Sequence, residues 1–131
     1  FFSMWYGVYD SRDRSLVFTN AGHPPALLVD GGQVSRLAGT GMMVGVLPTS
    51  QFLAKRVCVS RRSRLYLYSD GAYEITIPQG GRLLIEGLEA IIARVSAADG
   101  PQTAEILRLI REAHGKTEFQ DDVSLLEVAF D

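Results

Sequence analysis

Short apolar runs cut by turn-forming residues fill this chain up to Asp70, and helical periodicity begins only after them. Strands first and helices afterwards confine the fold to an α+β class, in which helices segregate to one face of a mainly antiparallel sheet. The opening Phe1-Phe2-Ser3-Met4-Trp5-Tyr6-Gly7-Val8-Tyr9 is rich in aromatic and β-branched residues and has no initiator Met. A chain that begins inside such a run reads as a piece of something longer. The polar cluster Asp10-Ser11-Arg12-Asp13-Arg14 suits a hairpin turn, with Ser15 to Thr19 as the returning strand. Asn20-Ala21-Gly22-His23-Pro24-Pro25 then breaks the ladder, since proline cannot donate a backbone N–H and Gly22 permits positive φ. Ala26 to Val29 and Gln33 to Leu37 flank Asp30-Gly31-Gly32, a strong hairpin signal.

The stretch from Gly39 to Ser50 mixes Gly39, Gly41, Gly45 and Pro48 with apolar residues, the pattern of a partly buried loop. Phe52 to Val59 and Leu65 to Ser69 read as further strands. The second has no polar position before Ser69, which places it centrally in a sheet. Leu84, Ile85, Leu88, Ile91, Ile92 and Val95 share one helical face opposite Glu86, Glu89 and Arg94. Asp99-Gly100-Pro101 ends that helix. A second starts near Thr103, presents Ile106, Leu107, Ile110 and Ala113, and closes at Gly115. Val123 to Phe130 reads as a final buried strand.

Composition narrows the function classes. With 131 residues the chain is long enough for one core and too short to argue for two, so residues 1–131 read as a single partial domain. A formal net charge of -2 gives no long-range attraction to nucleic acid or anionic membrane. Cys58 is the one cysteine and has no internal partner for a disulfide, which fits a reducing, cytoplasmic setting. No apolar stretch approaches the roughly 20 residues of a spanning helix.

The chemistry points to two acids. Asp70 follows Leu65-Tyr66-Leu67-Tyr68-Ser69, and Asp121 precedes Asp122-Val123-Ser124-Leu125-Leu126. A strand buried on both faces offers a carboxylate no solvent, so acids gather where strands emerge and can meet a cation. The pair reads as half of a metal site, with Asp122 as the competing candidate beside Asp121. Against this stand turn statistics for Ser69-Asp70-Gly71 and the use of acidic pairs to protect a sheet edge. His23 lies in a proline-fixed loop with no second histidine at ligand spacing, so a structural role is the better reading. Asn20 is expected to hold backbone groups of that loop, and His114 to sit favourably at a helix carboxyl end. Cys58 and Arg64 have the spacing of cysteine-dependent phosphatases, but Val57-Cys58-Val59 is strand-like and no phosphate-wrapping loop leads into a helix, so a buried structural thiol is expected. Arg61, Arg62 and Arg64 could hold a phosphorylated partner or form a solvated turn.

Four motifs in order make the chain resemble the C-terminal part of the metal-dependent serine/threonine protein phosphatases of the bacterial sporulation-regulator and sigma-factor-regulator type. They are Met4-Trp5-Tyr6-Gly7-Val8-Tyr9-Asp10, Asn20-Ala21-Gly22-His23-Pro24-Pro25-Ala26-Leu27-Leu28, Leu65 to Gly71, and Gln120 to Leu126, with Val44-Gly45-Val46-Leu47-Pro48 between the second and third. The resemblance implies a PP2C-like α-β-β-α sandwich of mostly antiparallel sheets, truncated at its N-terminal side. It implies a two-metal centre of Mn²⁺ or Mg²⁺, with Asp70 and Asp121 as two of the ligands, and hydrolysis of phosphoserine or phosphothreonine by a metal-activated hydroxide. The implied substrate is a phosphorylated regulatory protein, a STAS-type anti-sigma-factor antagonist, and the implied context is an upstream sensor domain. The family's Gly-Asp-x-x-Gly-His-Gly motif is absent from this sequence, so the isolated chain is expected to be inactive or nearly so. A pseudophosphatase or docking module and a plain ligand-binding sandwich are the alternatives. Open sheet edges also predict self-association.

Overall fold

The computed structural model describes residues 1–131. Its strands are β1 (Met4–Asp10), β2 (Ser15–Ala21), β3 (Ala26–Asp30), β4 (Gln33–Leu37), β5 (Lys55–Cys58), β6 (Arg64–Tyr68) and β7 (Leu125–Ala129). Two helices, α1 (Leu84–Val95) and α2 (Thr103–His114), lie between β6 and β7 in the chain. Both sheets are antiparallel, one in the order β1-β2-β5 and the other β4-β3-β6-β7. The β1–β2 turn is held by its acids: Asp10 accepts the Arg12 N–H at 2.9 Å and Asp13 the Ser15 N–H at 3.0 Å.

Strand alternation builds two cores on the larger sheet. Leu27, Val29, Tyr66 and Tyr68 face the helices, while Ala26, Leu28 and Leu65 face the smaller sheet. Both faces of β3 and β6 are therefore covered, which is why these runs carry no polar position at alternate residues. On the helical side Leu88, Ile92, Ile106 and Ile110 are fully buried, each gaining about 2 kcal/mol of transfer free energy. Between the sheets Leu16 and Phe18 meet Leu28, Leu65 and Phe130. Trp5 stacks on Phe18 at 5.6 Å and Tyr9 tilts against Phe130 at 4.7 Å. The layers are β-β-α. The outer face of the smaller sheet carries Met4, Tyr6 and Val8 at 38%, 57% and 53% exposure.

Several local expectations are corrected. The β1–β2 ladder runs on through Asn20 and Ala21 and ends at Gly22, where φ is 67°. The strand expected over Phe52 to Val59 shrinks to Lys55–Cys58, paired only with Ser15 to Phe18. The glycine-rich loop takes the rest of that edge: a Cβ on Gly41 would lie 2.8 Å from the Asn20 carbonyl oxygen and 2.8 Å from the Phe52 ring. Cys58 is exposed, not buried, because Val57 takes the inward position of this edge strand. Leu84 is 48% exposed, since its φ of 58° turns it away from the helical face, and Leu83 packs on the core instead. On α2 the buried stripe is Ile106, Leu109, Ile110 and His114, with Leu107 and Ala113 only half-buried.

Candidate metal centre

The β6–β7 ladder decides where the acids go. Its antiparallel register pairs Tyr68 with Leu125, so the residues leaving β6 meet the residues entering β7. Ser69 fastens the junction: its N–H donates to Ser124 O at 3.0 Å, its hydroxyl donates to Asp122 O at 3.1 Å and accepts the Ser124 N–H at 2.9 Å. Ser69 and Asp122 are 53 residues apart in sequence. Asp70 opens a single 3₁₀ turn, Asp70–Ala72, in which its carbonyl accepts the Tyr73 and Glu74 N–H groups at 3.0 and 2.9 Å. Gly71 is required by contact rather than by backbone angle, because a Cβ there would lie 2.4 Å from Asp122 O. The Asp70 and Asp121 loops are thus pressed together, backbone against backbone.

Each acid is half committed. Asp70 Oδ1 accepts the Gly71 N–H at 3.0 Å and Asp121 Oδ1 the Asp122 N–H at 2.7 Å, leaving both Oδ2 atoms without a protein partner. Asp70, Asp121 and Asp122 are all exposed, and none forms an ion pair. Free carboxylate oxygens on braced loops are the donor set that hard divalent cations take, and Mg²⁺ is commonly held by one or two carboxylates plus water and phosphate oxygens. The donors therefore fit Mn²⁺ or Mg²⁺ in kind. No group of three or more His, Cys, Asp or Glu side chains is placed to hold a metal.

Supporting contacts extend behind the acids. Gln120, next to Asp121, accepts the Thr76 N–H at 2.9 Å, and the Thr76 carbonyl lies 2.7 Å from His114 Nδ1. His114 is buried at the end of α2, so it braces this connection in addition to sitting at the helix carboxyl end. Sequence reasoning missed the Ser69–Ser124 clamp and this brace. A serine on each strand end was visible, but its partner depends on the ladder register. Asn20 behaves as expected: its amide donates to His23 O at 2.9 Å and accepts the His23 N–H at 3.0 Å. His23 itself places Nδ1 2.9 Å from Pro24 O. With Trp5, Leu67, Ser69 and Ser124 it lines a cleft of about 320 Å³ beside the acidic loops. Beneath that cleft the Tyr68 hydroxyl donates to Pro25 O at 2.7 Å, and burial pushes the phenol well above its ordinary range.

Comparison with known proteins agrees with this frame. The curated Protein IcfG of Synechocystis sp. is 29% identical over 137 residues, which cover 98% of this chain and 20% of IcfG. Among solved structures, the RsbU and RsbW domains of Rv1364c from Mycobacterium tuberculosis superpose with a TM-score of 0.78 at 22% identity, covering 98% of this chain and 36% of that one. The phosphatase domain of SpoIIE from Bacillus subtilis, presoaked with Mn, gives 0.71 at 16% identity, covering 98% and 56%. The chain thus spans about a fifth of its curated relative and little more than half of that phosphatase domain. The SiaA-PP2C domain of Pseudomonas aeruginosa superposes with a TM-score of 0.81 at 22% identity, covering 98% of this chain and 52% of that one, so the fold is PP2C-like. The family model of Stage II sporulation protein E (SpoIIE) matches residues 1–131 from end to end, and the chain belongs to that family.

Proposed function

We propose that this chain is the part of a metal-dependent serine/threonine protein phosphatase that contributes Asp70 and Asp121 to a Mn²⁺ or Mg²⁺ centre. The observation that carries the proposal is the clamp of Ser69 on Asp122 and Ser124, which seats two unpaired carboxylates on neighbouring loops at one sheet edge. When bound, the metal supplies a hydroxide nucleophile near neutral pH and charge neutralisation for the phosphoryl oxygens. The residues of this chain have a narrower task. Asp70 and Asp121 offer their Oδ2 atoms, while Gly71, Gln120 and Thr76 fix the loops that carry them. The cleft between His23 and Ser124 gives a phosphorylated side chain room to approach. The substrate we assign is a phosphorylated regulatory protein, a STAS-type anti-sigma-factor antagonist.

One observation favours a second reading. No group of three or more ligating side chains gathers at the edge. A protein that holds a phosphorylated partner through a bound cation without hydrolysing it needs no complete two-metal centre. The test is Mn²⁺-dependent hydrolysis of a phosphoserine protein by the natural full-length protein, with Asp70→Asn and Asp121→Asn beside it. The phosphatase reading expects the metal-dependent rate and the Mn²⁺-induced rise in Tm to vanish in both variants. A rate unchanged by Asp70→Asn ends that reading. Mn²⁺ binding without hydrolysis selects the docking alternative.

A further inference from the structure

At the far end of the larger sheet, the tips of two turns and the end of α1 line a second site. Arg64 to Ser69 spans β6, so this site lies roughly 16 Å from the acidic loops at the rise of an extended strand. The tips are Asp30-Gly31-Gly32-Gln33, between β3 and β4, and Ser60-Arg61-Arg62-Ser63, ahead of β6. A 2.6 Å hydrogen bond from Ser60 Oγ to Asp30 Oδ2 ties them together. The cavity between them measures about 440 Å³ and is lined by Arg61, Arg62, Arg64, Gly31 and Gly32, with Ser96 and Ala97 opposite. That volume is typical of a small-molecule site.

We infer that this cavity is a binding site for a phosphate dianion, free or carried on a small monoester. Its only carboxylate, Asp30, is already engaged by Ser60. Arg64 covers the carbonyl end of α1 by donating to Ala98 O at 2.9 Å, and it lies 3.4 Å from Glu127. Arg61 and Arg62 are exposed and have no acidic partner, although six other arginines of this chain do. Gly31 and Gly32, at φ 56° and 83°, leave both of their N–H groups unbonded, and the space around them is open. Guanidinium forks and consecutive free amides are the two donor types that recognise phosphate oxygens.

Arg62 supplies an independent indication. Its φ of 63° is in the left-handed region, which glycine or asparagine adopts more cheaply. Binding would account for an arginine there, where the turn alone favours glycine or asparagine. Folding alone would favour Arg62→Asn, and binding alone would oppose it.

The test is an amide-resolved NMR titration of the protein in EDTA at constant ionic strength, with inorganic phosphate and separately with adenosine monophosphate. Removing metal separates this site from the acidic edge, so the result does not depend on the phosphatase reading. Saturable shifts at Gly31, Gly32, Arg61 and Arg62 are expected with both ligands. Tighter binding of the nucleotide makes it the ligand, and equal binding makes phosphate alone the recognised group. The variant Arg61→Gln/Arg62→Asn is expected to weaken binding at least about tenfold, the share of a charge-assisted contact, while Arg62→Asn alone raises Tm. No saturation with either ligand, or equal affinity in the double variant, overturns the inference.

Discussion

Gly71→Ala isolates the contact on which the acidic edge depends. The added Cβ would meet Asp122 O at 2.4 Å and the Asp122 carbonyl carbon at 3.1 Å, both backbone atoms. Ordinary carbon–oxygen contact needs close to 1 Å more, and neither neighbour is the end of a flexible side chain. The β6 and β7 loops must therefore separate, stretching the Ser69–Asp122 and Ser69–Ser124 hydrogen bonds. Overpacking of this kind costs about 1–3 kcal/mol. Against it stands a gain of about 0.5–1 kcal/mol from the restricted unfolded chain, because Gly71 has no positive φ to lose. The net expectation is a loss of about 1–2 kcal/mol, read by urea denaturation as a lower midpoint with unchanged slope. Gly87→Ala is the internal control. Its new Cβ meets side-chain and not main-chain atoms, Leu83 Cδ1 at 2.4 Å and Cγ at 2.6 Å, so only Leu83 must repack, and an Ala in α1 gains about 1 kcal/mol of helix propensity. Equal effects of the two substitutions, or a Gly71→Ala protein as stable as its parent, would refute the argument that the loops are pressed together.

Other substitutions test other links. Asn20→Ala removes both hydrogen bonds to His23 from a buried position and should lower stability by about 2 kcal/mol in denaturant titration; a loss below a few tenths would deny the amide its role. Leu88→Ala, at 0% exposure, should cost about 2–5 kcal/mol, whereas Leu84→Ala, at 48%, should cost less than about 1 kcal/mol; reversal of that order would contradict the corrected helix face. Burial holds the phenols of Tyr68, Tyr66 and Tyr73 above their ordinary value of 10.0. Because the folded-state values are the raised ones, their contribution is complete below about pH 10 and is lost as pH climbs through them. Ionisation of these three phenols in the ultraviolet should therefore coincide with loss of far-ultraviolet dichroism, and their ionisation while the dichroism persists would count against it. The open edges of β1, β5, β4 and β7 predict concentration-dependent association by light scattering; a strict monomer at high concentration removes that expectation.

Local signals were the legible ones. Asp30-Gly31-Gly32, the polar cluster after Tyr9 and the spacing of Leu88, Ile91, Ile92 and Val95 each act within a few residues, and each formed the expected element. Errors arose where a distant segment decides. Nothing near Phe52 announces that Gly39 and Gly41 lie against Asn20 and take the edge β5 would otherwise use. The side to which Cys58 turns depends on its register with Ser15, and the burial of Leu109 in place of Leu107 depends on how α2 leans on the sheet. At the candidate site, Asp70 and Asp121 stood out as acids at strand ends inside motifs that resemble a metal-dependent family, since a plain turn and an edge-protecting acidic pair explain such acids equally well on their own. That Ser69 would be the residue joining their loops required the β6–β7 register, which no local pattern carries.

The 53 residues that separate Ser69 from Asp122 also order events during synthesis. Hairpins and the helical pair close over short spans, while the last ladder waits until β7 has left the ribosome. A nascent chain exposes Asp70 throughout that interval with nothing opposite it. The pairing of the two acidic loops is thus completed by the final strand, and truncation ahead of β7 would leave Asp70 with nothing opposite it.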